Sequence, residues 1–191
     1  NYAFGAKGAG SVRTLQQYGR QCGCEIIIVP GVFRDGQLVS SSRIRELLLA
    51  GNLVAAAELL GRKFSFQGEV IHGEQRGRLL GFPTANLAID NRYAMPPNGV
   101  YAALAVVEGK VYNALANIGN NPTFADCSHR LEVNLRNFAG DLYGKQLEVV
   151  FLAKLRDEQK FPSVESLIEQ MGHDAEKAKE IFNLQASPDV I

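Results

Sequence analysis

A loop that mixes glycine with polar residues and ends on a proline, a hydroxyl and a carboxamide has the residue types that a phosphate and a hard metal ion require. The stretch Gly68-Glu69-Val70-Ile71-His72-Gly73-Glu74-Gln75-Arg76-Gly77-Arg78-Leu79-Leu80-Gly81-Phe82-Pro83-Thr84-Ala85-Asn86 is such a loop, entered from an alternating, strand-like segment. Gly73, Gly77 and Gly81 let the backbone approach an anion with no side chain in the way, and turned backbone presents its N–H groups as a cradle for phosphate oxygens. Arg78 adds a planar cationic fork. Pro83 sets the chain direction, so that Thr84 and Asn86 on an extended segment point to the same side. Their neutral oxygens suit Mg²⁺, which keeps several waters and draws its remaining ligands from substrate phosphates. The same composition also suits a surface hairpin loop that is glycine-rich because it turns, and no Walker-type lysine-serine pair is present.

A second group of chemistry-bearing residues comes later in the chain. In Leu131-Glu132-Val133-Asn134-Leu135 the aliphatic residues share one side of a strand, and Glu132 projects to the other with Asn134 and Arg136. Taken alone, those residues describe a solvent-facing strand glutamate. Asn117 and Thr123, in Asn117-Ile118-Gly119-Asn120-Asn121-Pro122-Thr123-Phe124, read as turn residues whose side chains satisfy backbone groups. Asp141-Leu142-Tyr143-Gly144 reads as a hairpin turn.

The elements that must position these residues change character along the chain. Val12, Leu15, Gln16 and Tyr18 predict a short helix broken at Gly19 or Gly23, and the apolar run Glu25 to Val29, stopped by Pro30-Gly31, predicts a buried strand. Val32 to Val39 reads as a hairpin or loop around Asp35-Gly36. Ser40 to Ser42 with Glu46 open a helix whose inner stripe is Ile44, Leu47 and Leu48; Leu53 to Leu60 forms another, ended by Gly61. From Phe64 the period becomes two: segments 64–70, 100–107, 111–116, 131–135 and 147–155 all alternate, and Glu108-Gly109-Lys110 joins two of them as a hairpin turn. Five or six mostly antiparallel strands with few covering helices favour a closed barrel. Ser163 begins a last helix carrying Leu167, Ile168 and Met171, expected to break at Gly172 and resume from Asp174 to Phe182.

Composition narrows the partners. Lys+Arg and Asp+Glu both number 20 in 191 residues, so no bulk charge recruits nucleic acid or an anionic membrane, and a polyanion must be bound locally. No apolar run approaches a bilayer span, and small-molecule partners in the cytoplasm are expected. Three cysteines, Cys22, Cys24 and Cys127, lack zinc-site spacing and read as buried or idle thiols. The first residue is Asn1, and the chain is expected to begin inside a longer natural sequence.

Five motifs, in order and spacing, closely resemble riboflavin kinase over about Leu59 to Phe182: Gly81-Phe82-Pro83-Thr84-Ala85-Asn86, Asn117 to Phe124, Leu131 to Leu135, Asp141 to Gly144, and Leu155-Arg156-Asp157-Glu158-Gln159-Lys160-Phe161. The resemblance implies a mainly β fold, a six-stranded antiparallel, Greek-key-like barrel with a C-terminal helix. It implies that ATP phosphorylates the riboflavin 5′-hydroxyl to give FMN and ADP, with Thr84 and Asn86 holding Mg²⁺. It further implies that Gly73, Gly77, Arg78, Gly81, Pro83 and Tyr143 join those two around ATP, and that Glu132 is the catalytic base. Arg156, Gln159 and Phe161 then line the flavin, where an aromatic face and edge donors suit a flat ring; Phe161 also reads as a hydrophobic staple on the helix begun by Ser163. The family usually has histidine where Asn134 stands in this sequence.

The front segment resembles the end of the FMN adenylyltransferase module that precedes the kinase in bacterial bifunctional riboflavin kinase/FAD synthetase. Phe4-Gly5 with Gly10 is similar to its glycine motif, and Ser41, Ser42 and Arg45 stand in its ATP motif, with Ser42 in place of threonine. The implied organisation is a partial α/β nucleotidyltransferase fragment over 1–52, a linking helix over 53–62 and the kinase over 63–185. The paired-histidine motif of that module is missing, so this chain is expected not to adenylate FMN by itself although its full-length parent does. A flavin- or nucleotide-binding module that is inactive without the missing half is the alternative expectation.

Overall fold

Short-range signals build the front of the chain. The computed structural model describes residues 3–73, 83–90, 92–120 and 129–185, and it forms two compact units, Asn1–Val39 and Ser40–Ile191. In the first, β1 (Ala3–Phe4) pairs with β2 (Gly10–Ser11), and α1 (Val12–Cys22) comes next. Ser11 caps α1 through a reciprocal pair of bonds with Thr14, and Gly23 ends it in the left-handed conformation, φ 69°. The helix runs through Gly19 without a break. A hairpin of β3 (Phe33–Arg34) and β4 (Gln37–Leu38) turns at Asp35 and Gly36, both at positive φ, as the sequence predicts. The buried strand expected at Glu25 to Val29 does not form: the run lies outside regular structure, with Ile27 and Val29 exposed. Among the described residues no neighbouring strand offers it a ladder, and an isolated strand leaves its backbone groups unpaired.

The second unit opens with two helices, α2 (Ser41–Leu49) and α3 (Leu53–Leu60). Ser40 caps α2 by accepting from the Arg43 N–H, and Asn52 caps α3 by accepting from the Ala55 N–H. By compactness α2 groups with the barrel-bearing unit, whereas the motif reading groups it with the front segment.

Six strands complete the unit: β5 (Ser65–Ile71), β6 (Ala85–Ile89), β7 (Gly99–Val107), β8 (Lys110–Asn120), β9 (His129–Leu135) and β10 (Gln146–Arg156). They close into a barrel in the order β10-β5-β6-β9-β8-β7, every pairing antiparallel. β7, β8 and β9 are successive neighbours, and β10 returns to lie beside β7, which is Greek-key connectivity. Periodicity alone located five of these strands. The sixth, β6, is short and comes directly after the proline corner.

Alternation sorts the side chains. Leu87, Ile89, Tyr101, Ile118, Leu131, Val133, Leu147, Val149 and Phe151 fill the barrel, with Ala103, Ala105, Ala114 and Ala116 between them. The outer face of β7 and β8 is covered by α4 (Val164–Gln185), where Ala175 and Ala178 pack on Ala102 and Leu115. α4 is continuous, so the break expected at Gly172 is absent. No neighbour stands within 4 Å of a Cβ built on Gly172, and an exposed helical glycine costs only about 1 kcal/mol. No helix among the described residues is long and apolar enough to cross a membrane.

Tyr101 is fully buried, and its hydroxyl donates to the Pro97 carbonyl. Burial, reinforced by Asp157, pushes its pKa from 10.0 up to about 12. Because the folded value is raised, the associated stability is complete below pH 10 and is lost as pH rises through about 12. Urea unfolding between pH 9 and pH 12 is expected to show an alkaline loss on the order of 3 kcal/mol that Tyr101→Phe abolishes.

Candidate functional site

Cross-strand register assembles the polar residues. On the outer face of the barrel, Asn86 of β6 is the partner of Glu132 on β9, and Glu132 is the partner of Asn117 on β8. Asn117 pairs in turn with Val100 on β7, and Val100 with Arg156 on β10. Directly opposed residues of an antiparallel ladder project to the same side with Cβ atoms about 5 Å apart. The row Arg156, Val100, Asn117, Glu132, Asn86 therefore spans five strands over an arc of roughly 19 Å. Asn117, read from sequence as a turn residue, sits inside β8 beside the carboxylate. No single-strand pattern reports a lateral neighbour.

One end of the row carries the oxygens suited to a metal. Asn86 is buried at 6% exposure, and its Oδ1 has no hydrogen-bond partner, although its Nδ2 reaches the Thr84 carbonyl at 3.5 Å. A buried acceptor without a donor is uncommon and calls for a partner that the described residues do not supply. An amide oxygen held this way fits a hard cation such as Mg²⁺, and Thr84 stands two residues before it in the chain. Among the described residues no cluster of three or more His, Cys, Asp or Glu could hold a metal ion. Gly73 lies against Asn86 so closely that a Cβ would stand 2.7 Å from Oδ1 and 2.5 Å from Cγ. Gly77, Arg78 and Gly81 lie outside the described residues.

Asn134 holds this corner in place. Its buried Nδ2 donates to the Pro83 carbonyl at 2.8 Å, tying the proline turn to β9. Sequence showed only that a polar residue stood there. Next to the turn opens a cleft of 510 Å³ lined by Pro83, Thr84, Val70, Leu135, Phe138 and Tyr143, among others. Tyr143 stacks on His72 with ring centroids 3.9 Å apart and planes at 23°, and its N–H donates to Asp141 Oδ1. The turn at 141–144 is thereby pinned to the end of β5. Leu135, which periodicity describes only as a strand residue, and Phe138 beyond the end of β9 form an apolar wall of the cleft.

The opposite end of the row is built by β10 and α4. Two irregularities in the β10–β7 pairing, between Phe151 and Ala153 and between Lys154 and Arg156, bend the strand end. Arg156 then grips Asp174 of α4 with Nε at 3.0 and 2.9 Å from the two carboxylate oxygens and Nη2 at 2.8 Å from Oδ2. Gln170 also donates to Asp174, which is 2% exposed. The Arg156 guanidinium lies 5.6 Å from the centre of the Phe161 ring, so Phe161 is engaged by the arginine. Gln159 is exposed nearby in sequence. Lys154 bonds Asp157 and holds that carboxyl below its usual range. Glu158, which sequence reading passed over, accepts from Asn98 and places Oε1 2.5 Å from where a Gly119 Cβ would stand. Ser41, Ser42 and Arg45 occupy the exposed first turns of α2, apart from both the row and the cleft.

The arrangement offers a carboxylate beside an under-coordinated amide oxygen, a nucleotide-sized cleft at one end and a clamped arginine with an aromatic ring at the other. The chain itself is similar to known proteins. A family model described as "Flavokinase: Riboflavin kinase" matches residues 60–182. The bifunctional riboflavin kinase/FMN adenylyltransferase of Bacillus subtilis is 37% identical over 187 residues, 96% of this chain and 58% of that protein. The protein of the same name from Escherichia coli K12 is 39% identical over 185 residues, 96% of this chain and 59% of that one. A solved structure described as a macrolide-efflux protein from Streptococcus pneumoniae is 38% identical with a TM-score of 0.77, covering 94% of this chain and 58% of its own. The chain thus spans less than two thirds of these relatives. Replacing Asp174 by alanine leaves the Arg156 guanidinium without its partner and is expected to lower unfolding free energy by about 3–5 kcal/mol, read as a shift in urea midpoint at unchanged slope.

Proposed function

The chain belongs to the riboflavin kinase family, and on that premise we propose that it transfers the γ-phosphate of ATP to the 5′-hydroxyl of riboflavin, yielding FMN and ADP. The supporting observation is the register that sets Glu132 beside Asn86. Attack by an alcohol on a phosphoryl group demands that its oxygen be aimed and its proton removed. Glu132 takes that proton as the new P–O bond forms, a contribution of about 10²–10⁴-fold. Thr84 and Asn86 hold Mg²⁺, for which the unpartnered Asn86 Oδ1 is the structural argument. When bound, the ion neutralises charge on the transferring phosphates.

The nucleotide occupies the cleft bounded by Pro83, Thr84 and Tyr143, whose 510 Å³ falls in the usual range for small-molecule sites. Gly73 keeps the stretch after β5 free of side chain so that Asn86 retains its position. Arg156, Gln159 and Phe161 face the flavin, with Asp174 fixing the arginine. Positioning of the two substrates, rather than acid-base chemistry, supplies most of the acceleration. We read residues 1–52, with Ser41, Ser42 and Arg45, as the end of a nucleotidyltransferase module, 53–62 as a linking helix and 63–185 as the kinase. FAD synthesis belongs, on this reading, to a longer parent.

Incubating the chain with riboflavin, ATP and Mg²⁺ is expected to give FMN; tight flavin binding without product would make it a binding module instead. Glu132→Gln is expected to lower kcat by about 10²–10⁴-fold with little change in the KM for ATP. Turnover near the unmodified rate would remove the base assignment. Gly73→Ala, which forces Asn86 aside, is expected to raise the KM for Mg²⁺-ATP by about tenfold with the far-ultraviolet circular dichroism unchanged.

A further inference from the structure

Arg130 stands two residues before Glu132 on β9 and on the same face of the strand. Its Nη2 donates to Glu132 Oε1. The two side chains are 27% and 28% exposed, so the pair is sheltered without being sealed from solvent. Along β9 the Pro83 corner lies on the opposite side of Glu132, where Asn134 clasps it, so Arg130 sits on the side away from the nucleotide cleft. Its lateral partners are Ala88 on β6 and Gly119 on β8, and neither brings a polar side chain. Glu132 is therefore flanked across the sheet by two neutral amides, Asn86 and Asn117, and along its own strand by one cation.

We propose that Arg130 is a positioning residue for phosphoryl transfer, orienting Glu132 by occupying one carboxylate oxygen and leaving the other for the acceptor hydroxyl. The inference rests on the kinase reading of this same site. A glutamate on a sheet surface has three rotatable bonds, and a base works only in the rotamers that reach the proton. A base held by a third group is the general arrangement for an activated proton acceptor. Asn86 and Asn117 cannot fill the role equally well, because a bond from a cation to a carboxylate is stronger and more directional than one from a neutral amide. Arg130 makes no covalent change and carries no proton during the reaction. Its placement on the side of Glu132 away from the Pro83 corner also keeps its charge from competing with a metal ion for the nucleotide.

The test compares Arg130→Gln, Arg130→Lys, Glu132→Gln and the Arg130→Gln/Glu132→Gln double variant in steady-state FMN formation, with thermal unfolding of each recorded. Arg130→Gln is expected to lower kcat about tenfold while the KM for ATP stays within about twofold, and Arg130→Lys to recover part of the loss. In the Glu132→Gln background the second substitution is expected to change kcat by less than about twofold, because Arg130 acts through the carboxylate. Losses that multiply in the double variant, or Arg130→Gln retaining full kcat, would overturn the positioning role and leave Glu132 as base. An active Glu132→Gln enzyme would instead overturn the base itself. Should Arg130→Gln unfold, the same cycle with Arg130→Lys decides the matter: kcat reduced alone and unchanged in the Glu132→Gln background supports the role, and any other pattern removes it.

Discussion

Antiparallel register is the constraint on which the site depends. Asn86 and Glu132 belong to separate motifs, yet they meet because β6 and β9 are hydrogen-bonded with these two residues opposed. A slip of one residue would turn Glu132 into the barrel and bring Leu131 or Val133 out, and the aliphatic filling makes that slip prohibitive. The packing of the interior thus specifies the chemistry of the exterior. Closure of the barrel adds to this, since each strand is paired on both edges and none is free to shift alone.

The C-terminal helix serves the same end from the other side. Small residues at Ala102, Ala175 and Ala178 let α4 lie close on β7 and β8, which brings Asp174 down to the bent end of β10. Asp174 and Arg156 then satisfy each other in a place where either alone would be an uncompensated charge. Such a pair adds little net stability over an apolar contact but sets the guanidinium plane firmly. Phe161 under that plane gives the far end of the row a fixed face.

Buried polar groups concentrate where chemistry is expected. Among the described residues Asn86, Asn134 and Asp174 are the buried polar or charged ones, and each lies at this site. Asn134 and Asp174 are satisfied by Pro83 and by Arg156 with Gln170. Asn86 keeps one oxygen without a donor, a small local violation of the rule that interiors pair their polar atoms, of the kind that functional positions retain. The Arg130–Glu132 pair is partly exposed, and its glutamate stands in the row directly beside Asn86.

By itself the amino-acid order determined the elements: helix starts at Ser40 and Asn52, the turn at Glu108-Gly109, alternation in five strands, and the glycine-proline stretch with its metal-type oxygens. Those signals are local, carried by side chains within a few residues of one another. Nothing local could decide that Glu25 to Val29 would remain outside a sheet or that Asn117 would lie in a strand, because pairing depends on partners distant in the chain. Tertiary structure alone decided which residues stand beside Glu132, that Asn134 clasps the proline corner, and that Arg156 is held by Asp174. The physical reason is that period-two alternation states which face a side chain takes, whereas its neighbour on that face is chosen by strand order and register, which only the packed barrel sets.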